Sequence, residues 1–300
     1  MIQDYPYTHS AAEFAEIFDL AVGSYAHSRQ PWNWRVAMLE NWSYASRYLE
    51  PLEYFTSHVH LWREESGQLA GCLIHYYHLI FPQVSRQHRS LEDAMFVWAE
   101  QNWAGESKQI ATFVFEHDLE RQELLARRGY ADRGRVEVVR LYDLGHDRTL
   151  PSLPAGFRFA ARAELGEAVE EYLALENAIW GRTSLDEAWF RGKSSAPHYS
   201  LDWDLAVLSP EGRQVGACLA WLDWQHHLGE IDPLGVHPDY RRLGLARALC
   251  LESFGRMRQA GMQVACIASE AADPLVDHLY ASLEPDETYY AHEWVKNVGE

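Results

Sequence analysis

The residues best suited to chemistry lie in one short stretch, Arg241-Arg-Leu-Gly-Leu-Ala246, between a strand pattern and a helix pattern. The first turn of a helix carries unpaired backbone N–H groups and the positive end of the helix dipole, so it can bind an anion. Gly244 has no side chain to keep a phosphate away from the backbone, and Arg241 and Arg242 add positive charge. No Gly-Lys-Ser or Gly-Lys-Thr follows, which excludes a P-loop. The stretch predicts a phosphate-binding turn, with an ordinary helix start as the alternative.

The strand pattern before this turn, Glu230-Ile-Asp-Pro-Leu-Gly-Val236, contains two residues that a regular central strand avoids, Pro233 and Gly235. Together they predict a bulged or splayed strand whose backbone faces an opening. An extended ligand with amide groups could pair with that backbone as a substitute strand.

Two carboxylates on this strand, Glu230 and Asp232, lie two residues apart and would share one face. Asp232 could therefore raise the pKa of Glu230. A structural carboxylate within an ion-pair network is the alternative interpretation of Glu230.

These residues resemble the GNAT superfamily of acetyltransferases, whose signature is Arg/Gln-x-x-Gly-x-Gly/Ala after a bulged strand. Arg241, Gly244 and Ala246 match that signature. The resemblance implies that backbone amides of the loop hold the pyrophosphate of acetyl-CoA, and that the bulged strand pairs with its pantetheine arm. The implied cofactor-binding residues are Leu234, Gly235, Val236, Arg241, Arg242, Leu243, Gly244, Leu245 and Ala246.

The same resemblance implies two catalytic residues, Glu230 and Tyr280. The spacing from Glu230 to Val236 is similar to that of the family's histone-acetylating branch, in which the glutamate is the general base. Asp232 could replace Glu230 in that role. Asp273-Pro-Leu-Val-Asp-His-Leu-Tyr280 stands where members usually show Asn-x-x-Ala-x-x-Leu-Tyr. Tyr280 therefore matches the tyrosine that often protonates the departing thiolate. The departures, Asp for Asn and Val for Ala, concern the closing loop and the acceptor pocket.

The elements that position these residues belong to a sequence repeat that occurs twice in the chain. Gln68-Leu-Ala-Gly-Cys-Leu73 matches Gln214-Val-Gly-Ala-Cys-Leu219, and residues 84–94 align with residues 236–246 without a gap. Two similarities in the same order, on opposite sides of a proline-containing stretch, predict a duplicated domain. We expect a degenerate GNAT-like domain over residues 1–147, a linker over 148–156 and a catalytic GNAT domain over 157–300.

Strands alternate with helices in each half, which predicts an α/β fold with a mixed sheet, built as two tandem GNAT-like domains. In the second half we predict a helix over 167–180 and a helix over 239–260 that ends at Gly261, together with strands over 205–208, 215–221, 230–236 and 262–268. Apolar and small residues recur at helical spacing along the later helix and predict one buried stripe: Ala246, Leu249, Cys250, Ser253, Phe254 and Met257.

The first half carries changes that predict the loss of its acetyl-CoA site. Glu92 and Asp93 align with Gly244 and Leu245, so two carboxylates would lie where the pyrophosphate binds in the second half. Like charges repel strongly in a partly dry site. Leu125 aligns with the tyrosine of the second half and has no proton to give. We expect this half to form a wall of the acceptor cleft.

Composition narrows the class of protein. The chain has 300 residues and a formal net charge of −18, which argues against nucleic acid or an anionic membrane as a partner and suits a cationic small molecule. No run of about 18 apolar residues and no cationic leader is present, so we expect a cytoplasmic protein that does not associate with a membrane. The four cysteines lie in apolar runs and predict buried thiols.

Histidine and tryptophan are the remaining residue types that could form a site. His58 and His60 alternate as metal ligands on a strand can, but no carboxylate or cysteine partner has a recognisable spacing, so we predict no metal. The 12 tryptophans predict thick cores, with an aromatic acceptor pocket as a further use for some of them.

The sequence therefore predicts an acetyl-CoA-dependent N-acetyltransferase that acts on a primary amine of a small acceptor. Two alternatives remain open: a non-catalytic acyl-CoA sensor that keeps the pyrophosphate loop, and chemistry like that of mycothiol synthase, which is also a tandem protein. The Glu230 and Tyr280 pair distinguishes an enzyme from a sensor, because a sensor does not need both residues near the thioester. The identity of the acceptor is not encoded in any recognisable motif.

Overall fold

The computed structural model describes residues 2–28, 30–45, 52–76, 78–104, 108–146, 148, 153–166 and 169–298. Residues 149–152 of the predicted linker, and the first two residues of the helix predicted over 167–180, lie outside the described residues. The described part of the linker has no helix or strand. The limits of the two domains remain predictions.

The strands and helices alternate through both halves of the chain. The strands are β1 (Ile2–Pro6), β2 (Val59–Glu64), β3 (Leu69–Tyr76), β4 (Leu79–Val84), β5 (Gln109–Phe115), β6 (Ala131–Asp143), β7 (Arg158–Ala161), β8 (Asp204–Leu208), β9 (Gln214–Asp223), β10 (Leu228–Val236), β11 (Val264–Glu270) and β12 (Glu287–Asn297). The helices are α1 (Ala11–Ser28), α2 (Val36–Glu40), α3 (Leu52–Ser57), α4 (Glu92–Asn102), α5 (Leu119–Arg127), α6 (Arg162–Leu165), α7 (Val169–Trp180), α8 (Glu187–Ser194), α9 (Leu245–Gln259) and α10 (Pro274–Ala281).

All described strands belong to one 12-stranded mixed sheet, in the order β1-β2-β3-β4-β5-β12-β6-β11-β10-β9-β8-β7. If each strand of the first half is exchanged with the strand numbered six higher, the same order results when the sheet is read from its opposite edge. This symmetry is expected for a duplicated fold. The last strand of each half crosses to the other half: β12 lies between β5 and β6, and β6 pairs with β11. The two halves therefore share one continuous sheet.

The repeat seen in the sequence occupies equivalent places in this sheet. The Gln68–Leu73 stretch enters β3 and the Gln214–Leu219 stretch enters β9, which are the third strands from opposite edges. Val84 and Val236 end the next strands inward, β4 and β10. The predicted tandem α/β organisation is confirmed.

The helix predicted from residue 239 begins six residues later, at Leu245. A short helical turn over Pro238–Tyr240 ends at Arg241, which is extended. Arg242 and Gly244 have positive φ angles of 63° and 77°, a conformation that interrupts a right-handed helix. The predicted start was wrong because the local pattern does not reveal these two backbone angles, which turn residues 241–244 into an exposed loop.

The core beneath the second half confirms the predicted helix stripe. Leu249, Cys250, Phe254 and Met257 of α9 are buried and pack with residues of β8 to β11 in one apolar cluster, while Ala246 is partly buried against it. The four cysteines are free and buried, as predicted. This packing fixes the start of α9 next to the end of β10.

Candidate active site

The strand that leads into the loop is splayed, as the sequence predicts. β10 pairs with β11 in parallel only from Leu228 to Ile231. On its other side β10 stays paired with β9, with a register shift between Ile231 and Leu234, and Leu234–Val236 lie opposite residues 216–218. Among the described residues, no strand therefore pairs with the edge of Leu234–Val236 that faces away from β9. That edge is available to a ligand with amide groups.

Gly235 is required by a close helix contact. A Cβ atom at this position would lie 2.3 Å from Cγ2 of Ile179, a buried residue of α7. Any larger residue would push α7 away from the splayed strand. The glycine thus allows the helix to cover the strand without filling its open edge.

The loop after the strand presents backbone donors to solvent. Gly244 precedes the first residue of α9, and its carbonyl accepts the N–H of Ala248 at 3.0 Å, the first bond of the helix. The N–H groups of Leu245 and Ala246 fall in the first helical turn, where no intrahelical acceptor exists. Residues 241–244 are exposed. The geometry suits an anion at the positive end of the helix dipole.

The arginines of the loop differ in their surroundings. Arg241 donates from Nε to the carbonyl of Val236 and from Nη2 to the carbonyl of Ile179, both at 3.3 Å. These bonds fasten the loop to β10 and to α7. Arg242 is exposed, so its charge can face a ligand. The part that either side chain takes in binding a phosphate remains a prediction.

Glu230 is held in a buried ion pair with the first half. Its Oε1 accepts from Nε of Arg35 at 2.9 Å, and its Oε2 accepts from the N–H of Ala37 at 2.8 Å. Arg35 also donates to Glu137 at 2.9 Å. Burial lowers the pKa of Arg35, but the charges of Glu137 and Glu230 outweigh it and raise that pKa well above the usual value. Both oxygens of Glu230 therefore already have donors.

Asp232 has the environment that a general base needs. Its side chain is half-buried, and Oδ2 accepts one hydrogen bond, from Nδ2 of Asn41 at 3.1 Å. Burial and the charge of Glu230 raise the pKa of Asp232 to about 7, against an opposing effect of Arg35. A carboxylate with a pKa near the working pH can take and release a proton readily.

Tyr280 lies in α10 with its side chain buried. Its carbonyl accepts from the hydroxyl of Tyr142 at 2.9 Å, while its own hydroxyl has no hydrogen-bond partner within the described part of the chain. Burial is the main cause that raises the pKa of Tyr280 well above its usual value, and the charge of Asp232 contributes. The phenol therefore stays protonated at neutral pH and can donate a proton.

A cavity of about 410 Å³ opens beside Asp232, between the two halves. We call it the inter-half cavity. It is lined by Trp34, Met38, Asn41, Trp42, Ala45 and Tyr76 of the first half and by Glu176, Trp180, Arg182, Leu185, Trp189, Lys193, Asp232 and Pro233 of the second. Its volume is at the small end of the range of about 300–1,000 Å³ for ligand pockets.

The comparisons with known proteins agree with this geometry. Residues 167–283 match the family of GNAT acetyltransferases. Residues 167–283 form a GNAT domain. This range contains the splayed strand, the loop before α9 and Tyr280.

Solved structures share the fold of the whole chain. A tandem GNAT protein from the clavulanic acid biosynthesis pathway aligns over 100% of this chain and 99% of its own, with a TM-score of 0.67 and 15% identity. A GCN5-related N-acetyltransferase from Sphaerobacter thermophilus covers 97% of this chain and 95% of its own, with a TM-score of 0.63 and 16% identity. An acetyltransferase of the GNAT family from Colwellia psychrerythraea covers 99% and 100%, with a TM-score of 0.63 and 11% identity. These identities establish a common fold only. No curated protein matches the chain in sequence.

The first half has an ion-pair cluster at the position that aligns with the loop before α9. Glu92, which aligns with Gly244, is buried and receives two hydrogen bonds of 2.9 Å from Arg121. Nε of Arg89 lies 2.8 Å from Oε1 of Glu92, which also accepts from Nη2 of Arg121. The carboxylate and its two arginines form an ion-pair cluster at the position where the GNAT domain of the second half has an open helix start.

The chain itself covers the strand edge of the first half. Val84, the equivalent of Val236, donates its N–H to Oδ1 of Asn33 at 3.1 Å and accepts from Nδ2 of the same residue at 3.0 Å. Nε1 of Trp32 donates to the same carbonyl at 3.3 Å, and the N–H of Trp34 donates to Oε1 of Gln83 at 2.6 Å. Residues 32–34 thus take the place beside β4 that is open beside β10.

Sequence reasoning did not find the first-half residues of the site, Arg35, Asn41, Trp34 and Trp42. They belong to a segment outside the GNAT motifs, and their partners lie about 190 positions away in the chain. The only signal was the unusual run Trp32-Asn-Trp34. Long-range pairing of this kind is not visible without the fold.

Across the residues that the structure describes, no group of three or more His, Cys, Asp and Glu side chains could hold a metal ion. No helix in those ranges is long and apolar enough to cross a membrane.

Proposed function

We propose that this protein is an acetyl-CoA-dependent N-acetyltransferase that modifies a primary amine of a small acceptor. The observation that carries the proposal is the position of Asp232. It lies at the point where β10 leaves β11, it lines the inter-half cavity, and its pKa is raised to about 7. A donor on the open strand edge and an acceptor in the cavity would meet at this carboxylate.

The residues of the second half fit acetyl-CoA. The free edge of Leu234–Val236 offers backbone groups to the amides of a pantetheine arm, and the exposed start of α9 at Gly244 offers N–H groups to a pyrophosphate. Arg242 adds a positive charge beside that start. Acetyl-CoA supplies an acetyl thioester, which an uncharged amine can attack.

We propose Asp232, rather than Glu230, as the general base. Removing a proton requires a carboxylate that is free to accept one, and the oxygens of Glu230 already accept from Arg35 and from the Ala37 N–H. Asp232 has a single hydrogen bond from Asn41 and opens into the cavity. Glu230 would then be the structural carboxylate that fixes the first half to the catalytic strand.

The proposed reaction balances with two protein groups. Asp232 takes one proton from the acceptor ammonium, and the uncharged nitrogen forms a bond to the acetyl carbon. The nitrogen then releases its second proton to solvent as the carbon–sulfur bond breaks. The buried phenol of Tyr280 gives a proton to the sulfur that leaves, and the proton is restored from solvent. N–H groups on the open edge of the splayed strand would polarise the carbonyl oxygen.

The first half is proposed as a wall of the acceptor site without an acetyl-CoA site of its own. Residues 32–34 lie along the strand edge that would pair with pantetheine, and Glu92 lies at the pyrophosphate position. Domain limits of 1–147 and 157–300, with a linker over 148–156, belong to the same proposal. With four free buried thiols we place the protein in the cytoplasm.

A thiol-release assay with a panel of primary amines tests the proposal. We expect acetyl-CoA turnover that depends on an amine, with the acetyl group found on nitrogen by mass spectrometry of the product. Asp232→Asn should lower that turnover while acetyl-CoA still binds. Tight binding of acetyl-CoA with no turnover on any amine would instead favour the non-catalytic sensor.

A further inference from the structure

We infer that the acceptor is an arylalkylamine, a primary ammonium joined through a short flexible chain to a flat aromatic ring. The inference rests on the proposed function, because that function makes the inter-half cavity the acceptor site. It goes further by assigning a substrate class from the walls and the charges of the cavity.

Aromatic rings dominate the walls of the inter-half cavity. Five of its lining residues carry them: Trp34, Trp42, Tyr76, Trp180 and Trp189. The rings of Trp34 and Trp42 meet edge to face, with centroids 6.0 Å apart, and both residues are only 4% exposed. Such walls favour a flat aromatic body through stacked or edge-on contacts, and they also attract an ammonium group.

The cations and carboxylates deeper in the wall balance one another. Nζ of Lys193 lies 3.3 Å from Oδ2 of Asp204, and Nε of Arg162 lies 3.2 Å from the same oxygen. Burial raises the pKa of Glu176, and the charge of Lys193 offsets part of that rise. Lys193 and Arg162 thus form one cluster with Asp204 and Glu176.

Asp232 is the lining carboxylate outside that cluster. Its hydrogen-bond donor is the neutral amide of Asn41, so the cavity offers one carboxylate to one ammonium group. This count fits a monoamine better than a polyamine, whose further charges would each need a partner. Arg182 also lines the cavity and is exposed. A carboxylate next to the amine would be repelled by Asp232, and tryptophan tests whether Arg182 compensates for that repulsion.

Calorimetric titration with simple amines tests this assignment, in the absence and in the presence of saturating CoA. The probes are phenethylamine and tryptamine, each with a matched partner. 2-Cyclohexylethylamine keeps the amine and the apolar body but lacks the aromatic ring, and tryptophan adds one carboxylate to tryptamine. Spermidine represents the polyamines. We expect each arylalkylamine to bind at least tenfold more tightly than its partner and than spermidine.

Variants show whether binding occurs in the inter-half cavity. Trp42→Leu should weaken phenethylamine binding by about tenfold, and Asp232→Asn should weaken it by a similar factor, which is about 1.4 kcal/mol each. Trp180→Leu changes a lining ring that is 44% exposed, so this variant provides the same test if the buried Trp42 variant does not fold. Trp224→Leu is the matched control, because Trp224 is 54% exposed and lies outside the cavity lining.

The outcomes separate the substrate class from the reaction. Equal binding of phenethylamine and 2-cyclohexylethylamine, tighter binding of spermidine or tryptophan, or no arylalkylamine binding in either state would overturn the assignment. Acetylation of a different amine class, without acetylation of arylalkylamines, would overturn it too and leave the proposed function standing. If arylalkylamine binding is weakened by Asp232→Asn and Trp180→Leu but no arylalkylamine is acetylated, the assigned ligand is supported and the proposed function is contradicted.

Discussion

Arg35 of the first half and Glu230 of the second form a buried ion pair, with Nε and Oε1 2.9 Å apart. The pair fastens the segment that carries Trp34, Asn41 and Trp42 to the strand that carries Asp232. It also occupies the carboxylate whose position resembles the general base of the family. The same ion pair therefore contributes to the assembly of the cavity and supports Asp232 as the proposed base.

The first prediction distinguishes the two carboxylates of β10. Asp232→Asn should lower kcat/KM by about 100- to 10,000-fold, the span typical of general bases. In the wild type kcat/KM should rise with pH and level off above about 7, because the base must be ionised and its pKa is about 7. The step near pH 7 should be missing from the residual activity of the variant, measured with one acceptor across pH 5–9.

Glu230→Gln is the control for that measurement. It removes one charge from the buried pair with Arg35, and breaking such a pair typically costs about 3–5 kcal/mol of stability. We expect a lower Tm, with turnover per folded molecule close to that of the wild type. A large loss of turnover in a Glu230→Gln protein that is still folded, with little change in Asp232→Asn, would return the base to Glu230.

The second prediction concerns the pH dependence of stability. Burial and Glu230 raise the pKa of Asp232 from 3.8 to about 7, so between these values the folded state binds a proton that the unfolded state has released. Stability therefore falls as the pH rises through this window, by up to about 1.4 kcal/mol per pH unit, and the loss is complete above pH 7. Asp232→Asn removes this effect and should raise the Tm increasingly from pH 4 to pH 7. A Tm difference that is the same at every pH would contradict the raised pKa.

The features that could be predicted from the sequence are those that depend on short local motifs. The splayed strand follows from Pro233 and Gly235, because both residues are poor in a regular central strand. The duplicated fold follows from two short repeats in the same order. The crossing of β6 and β12 could not be foreseen, since a strand pattern does not specify its neighbours. The choice between Glu230 and Asp232 was equally inaccessible, because it depends on Arg35, which is far away in the chain.

The third prediction tests the phosphate-binding turn. Gly244→Glu should abolish measurable acetyl-CoA binding, since it places a carboxylate at the start of α9 where the proposed pyrophosphate lies. Gly261→Ala controls for backbone strain: Gly261 follows the other end of α9, has φ +92° and, like Gly244, has no atom near an added Cβ. Calorimetry that finds unchanged affinity in folded Gly244→Glu would remove this loop from the site.

The fourth prediction concerns the proton donor. Tyr280→Phe removes a hydroxyl that has no hydrogen-bond partner in the described ranges, so the Tm and the acetyl-CoA affinity should change little. The kcat should fall by about 100-fold or more, as expected for loss of a general acid. Pre-steady-state measurement is needed to show that chemistry limits the rate. An unchanged chemical rate would mean that the thiolate leaves without a proton from this residue.

The last prediction is a stoichiometry of one acetyl-CoA per chain. In the second half the edge of Leu234–Val236 is open, whereas in the first half Asn33 bonds both backbone groups of Val84 and Glu92 is paired with Arg121. A second acetyl-CoA would have to displace Asn33 from that edge and bring its phosphates against a buried carboxylate. Titration should therefore saturate at a single site, and Gly244→Glu should reduce the stoichiometry to zero rather than leave a weaker second site. Asn33→Ala tests the covering segment directly. We expect this variant still to bind one acetyl-CoA, because the Glu92 carboxylate remains in place. A second site in Asn33→Ala would show that the covering segment alone blocks the first half. Two equal sites in the wild type would show that the first half binds the donor despite these contacts.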